Sequence, residues 1–164
     1  MLLVKLPKGA RHYERRAVFE FEIKDIDPST VRSARLRLNL VPSGLGFAAL
    51  LPKINQFAVF GITSDASTSP HPDDTWESIP TPDDGIRLGT FDVPRSAQRG
   101  VFGIESEPLL EFLRSNEKGS VVFLITRLTE ERQGSGLVHA FASDSHPEAS
   151  GPILELTFDE PQAP

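Results

Sequence analysis

The sequence predicts an all-β domain built as a sandwich of two antiparallel sheets with one short helix. Three observations carry that prediction. Apolar residues alternate with polar ones at period two in several segments, as they must where successive side chains of a strand face opposite sides of a sheet. The 14 prolines and 12 glycines fall mostly between the apolar runs, where they punctuate turns. Only one stretch has the three-and-four spacing of a helix, and an all-β chain of seven or more short strands separated by turns is best accommodated by two stacked sheets.

In chain order, Ala17, Phe19, Phe21 and Ile23 share one face, and Val18, Glu20 and Glu22 share the other. The segment from Lys24 to Val31 carries Asp-Pro and Ser-Thr turn chemistry and room for a short helical turn. A second strand follows, with Ala34, Leu36, Leu38 and Leu40 facing in and Arg35, Arg37 and Asn39 facing out. Gln56 to Ile62 is a third. The excursion from Thr63 to Asp84 contains Pro70, Pro72, Pro80 and Pro82, which forbid a central strand there. Ile86 to Val93 is extended again.

The helix is predicted over Glu107 to Arg114, with Leu109, Phe112 and Leu113 as its apolar stripe, Pro108 in its first turn, Ser106 as its cap and Gly119 beyond its end. Val121 to Arg127 is a strongly apolar strand. Gly136 to Ser143 and Ile153 to Phe158 form a closing pair joined by a polar loop. Residues 1–158 thus read as one domain, within the usual length of a single core. The segment 159–164 reads as a linker or tail.

A net charge of −6 argues against nucleic acid as a general partner, since that polyanion calls for a basic footprint. With no cysteine there is no disulfide, thiolate metal site or cysteine nucleophile. No apolar run reaches the length of a membrane span, and the start at Met1 is too short for a signal peptide's apolar region.

Several residues invite a chemical reading. His139, Asp144, Ser145 and His146, with Ser143, contain the residue types of a serine hydrolase, but no Gly-x-Ser-x-Gly elbow occurs and the same residues are good turn formers. Glu20 and Glu22 have a separation suited to glycosidase carboxylates, as do many solvated strands. Asp73-Asp74 and Asp83-Asp84 could supply calcium oxygens, without the spacing of an EF-hand, and a solvated acidic loop is the plain alternative. The four histidines lack zinc spacing. Trp76 is either a platform for a sugar ring or a plug in the end of the sandwich. Among the cluster Arg11, Arg15, Arg16, Arg32, Arg35 and Arg37, the Arg35 and Arg37 side chains leave one strand face and could grip carboxylates in bidentate fashion. The plain alternative is cross-strand pairing with Glu20 and Glu22. Tyr13, beside His12 and Arg15, offers an adjoining aromatic platform.

The order of these segments resembles the DNRLRE domains, a group overlapping carbohydrate-binding module family 96. The supporting stretches are Arg15 to Phe21, Val31 to Leu38, Val59 to Ile62, Thr75 to Ser78, Phe91 to Val93, His139 to Ser143 and Gly151 to Leu156. The string Asp-Asn-Arg-Leu-Arg-Glu is absent, Arg35-Leu36-Arg37-Leu38 being its nearest echo, and the opening strand before the first Arg-rich segment is expected to be missing. The resemblance implies a jelly roll and a noncatalytic module of a larger secreted or cell-surface protein, adjoining other domains and binding a polysaccharide, including acidic ones such as alginate. The ligand-binding residues expected on this basis are Arg35, Arg37, Arg16, Tyr13 and Trp76, with no catalytic residue and no cofactor other than calcium at Asp73 and Asp74. A structural or adhesive spacer and a polysaccharide-degrading enzyme are the other two functional classes.

Overall fold

The computed structural model describes residues 1–9, 13–63, 79–116 and 119–158. Within them lie β1 (Leu2–Val4), β2 (Ala17–Glu22), β3 (Val31–Val41), β4 (Ile54–Ile62), β5 (Gly85–Pro94), β6 (Gly100–Glu105), α1 (Glu107–Arg114), β7 (Ser120–Arg127), β8 (His139–Phe141) and β9 (Ile153–Phe158). One sheet has the order β1-β8-β3-β6, with β9 following β8 along the same side of β3, and the other has the order β2-β7-β4-β5. All strand pairs are antiparallel.

The pairing has a simple logic. β1 pairs with β8, β2 with β7, β3 with β6 and β4 with β5. The chain is therefore one long hairpin, rolled so that its successive strand pairs fall alternately in the two sheets. That is a jelly roll.

The pattern of inward residues follows the alternation. Ala34, Leu36, Leu38 and Leu40 of β3 are buried between the sheets, as are Phe57 and Val59 of β4 and Val121, Phe123 and Ile125 of β7. Phe57 stacks on Phe91 at 5.2 Å and meets Phe141 edge-on at 5.7 Å, so three strands from both sheets share one aromatic cluster. A second cluster joins Phe19, Phe21, Phe112 and Phe123. Burying each such ring removes enough apolar surface to stabilise the fold by roughly 1.5 to 3 kcal/mol.

α1 forms where predicted, with Ser106 Oγ accepting from the Leu109 amide and donating to Leu88 O. Its buried residues are Leu109, Leu110, Phe112 and Leu113. Phe112 lies over Gly61, where a Cβ would come within 2.6 Å of the ring, so the bare glycine admits the helix against β4.

Three expectations are corrected. The opening strand is present, since β1 holds that edge with Leu2 opposite Phe141 and Val4 opposite His139. The penultimate strand is only His139–Phe141, because the chain from Leu137 to Val138 bonds instead to the β3–β4 loop. Arg35 and Arg37 do not face Glu20 and Glu22, because β2 and β3 belong to different sheets.

Candidate ligand-binding site

The outer face of β3 is a ladder of polar pairs. Arg35 Nε lies 3.1 Å from Glu105 on β6, and Arg37 pairs with Glu155 on β9. Ser33 shares a hydrogen bond with Thr157, and Asn39 donates to Ser150 O. Both guanidinium groups are thus balanced by carboxylates on flanking strands. Arg16 is likewise paired, with Glu14 at 2.8 Å, and Tyr13 is exposed. Trp76, Asp73 and Asp74 lie outside the described residues, so the aromatic platform and the calcium ligands expected there are not placed. Asp84 bonds to the Thr81 amide and hydroxyl, which holds its carboxyl below the usual range.

The residues of the hydrolase reading do not assemble into a triad. His139 points into the core, where its ring meets Phe57 edge-on at 5.0 Å. His146 Nδ1 accepts from the Glu148 amide, and Ser143 and Ser145 face each other at 3.2 Å. Among the described residues, neither imidazole bonds to a serine hydroxyl. Glu22 is engaged by Lys24, and among the described residues no three imidazole or carboxylate groups converge as a metal site.

The hairpin-within-roll topology brings the β1–β2, β3–β4, β5–β6 and β7–β8 loops to one end of the sandwich. Backbone bonds lace them together, from Glu131 N to Leu6 O, from Arg132 N to Leu50 O, from Leu137 N to Phe47 O and from Arg95 N to Lys53 O. Below them lies a buried charged cluster. Arg127 donates through Nη2 to Leu6 O and through Nη1 to Leu137 O, and its Nη1 is 3.3 Å from His139 Nδ1. A guanidinium has no lone pair to offer, so His139 Nδ1 accepts and the neutral ring carries its proton on Nε2. Burial, with Arg127 adding to it, pushes the His139 pKa down to about 4. Burial also draws Arg127 down to about 10, against the pull of Glu131, and it stays charged. Glu131 is itself buried, 3.6 Å from Lys5 Nζ. This cluster ties the β1–β2 and β7–β8 loops to the strands beneath them.

Between the loops opens a cavity of about 560 Å³. Its wall is apolar at Leu40, Val41, Pro42, Ala48 and Ala97, and polar at Ser43, Arg95, Ser96 and Gln98. Gly44 and Gly46 adopt positive φ of 67° and 86°, which lets the β3–β4 loop fold back over the β7–β8 loop. Phe47, which falls in the chain between the lining residues Gly46 and Ala48, is 66% exposed. A concave wall of mixed apolar and hydrogen-bonding character is the usual form of a small-ligand site. Sequence pattern gives no sign of this cavity, because Ser43, Arg95, Ser96 and Gln98 lie between the periodic strands and only the fold brings them to one wall.

No family model matches the chain, and no curated protein matches it. The fold and its site therefore define a class only, a jelly-roll β-sandwich with a loop-end cavity. No helix among the described residues is long and apolar enough to cross a membrane.

Proposed function

We propose that the protein is a noncatalytic polysaccharide-binding module of a larger secreted or cell-surface protein. The observation that carries this reading is the loop-end cavity, with the exposed Phe47 next to its lining residues in the chain. A sugar has apolar C–H faces and a girdle of hydroxyls, so it is matched by an aromatic surface next to amide, hydroxyl and guanidinium groups. The paired state of Arg35 and Arg37 moves the expected contact away from the β3 face, because a ligand there must first displace Glu105 and Glu155. Binding through one small cavity is weak, and repeated modules or repeated chain ends would raise it through avidity. The self-balanced β3 face supports a second reading, a spacer domain that orients its neighbours without holding glycan.

Native electrophoresis through gels containing a panel of neutral and acidic polysaccharides tests the proposal. Retardation by at least one of them, with no release of reducing ends, is the expected result. Unchanged mobility in every gel would favour the spacer, and release of reducing ends by the isolated chain would make it an enzyme.

A further inference from the structure

We infer that the loop-end cavity is selective for a carboxylate and that Arg95 is the residue that selects it. The inference rests on the cavity being a ligand site, as in the reading above, and adds what charge the ligand carries. The chain as a whole is acidic, yet among the described residues no Asp or Glu lines this cavity, and Arg95 is the one formally charged residue of its wall.

Arg95, like the exposed Arg32, Arg87, Arg114 and Arg132, has no carboxylate partner among the described residues, but unlike them it is half-buried in a cavity wall. Arg16, Arg35, Arg37 and Arg99 each face a carboxylate. Arg95 is half-buried, and its side chain's one protein bond among the described residues is from Nη1 to Leu51 O at 3.1 Å. Its own amide is fixed to Lys53 O at 2.8 Å. The guanidinium is thereby anchored through one of its five N–H groups and keeps Nε and Nη2 for a partner. A half-buried cation held in place and lacking a counter-charge is prepared for an anion, and the planar fork of Nε and Nη2 matches the two oxygens of a carboxylate. Ser96 and Gln98 supply neutral donors and acceptors for hydroxyls adjoining that carboxylate. The ligand chemistry is therefore a hydroxylated carboxylic acid, which could be the acidic residue at the end of a sugar chain or a free hydroxy acid.

Titration of the ¹⁵N-labelled protein with galacturonate, galactose and gluconate tests this, read from amide shifts at Gly44, Gly46, Ser96 and Gln98. The structure predicts saturable shifts with galacturonate and none with galactose at equal concentration. Arg95→Gln should weaken galacturonate binding by about tenfold or more, the loss of one charged hydrogen-bonded pair. Because that change also frees Leu51 O, Ser96→Glu provides a second variant. It leaves the Arg95 anchor intact, sets a competing carboxylate in the wall, and should abolish the shifts while the unfolding midpoint stays that of the wild type. Gluconate binding as well as galacturonate would uphold the carboxylate claim and identify a free acid as a sufficient ligand. Equal binding of galactose and galacturonate would overturn carboxylate selection while leaving the saccharide reading standing. Galacturonate shifts that persist in Ser96→Glu, or that never arise at these amides in the wild type, would overturn the assignment of the site.

Discussion

His139 shows how one residue's surroundings decide its role. In sequence it sits close to serines and an aspartate, but in the fold it is packed on Phe57 and accepts a hydrogen bond from Arg127. Its ring titrates near 6.5 when unfolded and at about 4 when folded. Between these values the unfolded chain binds a proton that the folded chain does not, so stability falls as pH drops through that window and the loss is complete below pH 4. At 1.36 kcal/mol per pH unit the loss amounts to about 3 kcal/mol. His139→Gln, which keeps an acceptor and cannot titrate, should lack this loss in denaturant unfolding followed from pH 7 to pH 4. Parallel pH profiles for the two proteins would contradict the buried neutral state.

Gly46 is decisive in a different way. Its positive φ disfavours a side chain, and a Cβ there would run into the Gly136 carbonyl across the loop contact. Gly46→Ala should cost about 1 to 3 kcal/mol in unfolding free energy. A stability within experimental error of the wild type would show that the two loops are not locked together.

At the scale of elements, β2, β3, β4, β7 and α1 were legible because each is long enough to display its period. The helix appears between the predicted residues Glu107 and Arg114, since its cap, its proline and its apolar stripe all act locally. β1 and β8 were less legible. A strand of three residues shows no alternation; β1 is held by β8, and β8 in turn by β3. The partners of Arg35 and Arg37 were also illegible, because strands adjacent in sequence here lie in opposite sheets. Their pairs with Glu105 and Glu155 are exposed, with Arg35 and Glu105 at 58% and 57%. Exposed pairs contribute little, so a double-mutant cycle of Arg35→Ala and Glu105→Ala should give a coupling below about 1 kcal/mol. A coupling well above that would mean that the ladder is a principal brace of the sheet.

At the scale of the whole molecule, the sandwich was legible and the site was not. Strand periodicity reports which face is buried, and turn residues report where strands end. Neither reports which loops meet, and the cavity exists only because the rolled hairpin brings Ser43, Arg95 and Gln98 together from separate connections. This end of the roll, and not the arginine-bearing face of β3, is the proposed ligand site. Affinity electrophoresis in the polysaccharide that retards the wild type tests it most directly, comparing Ser96→Trp, which fills the cavity mouth, with the double variant Arg35→Ala, Arg37→Ala. Ser96→Trp should migrate as though the polysaccharide were absent while the double variant is retarded like the wild type; loss of retardation in the double variant, with Ser96→Trp still held back, would place the ligand on the β3 face instead.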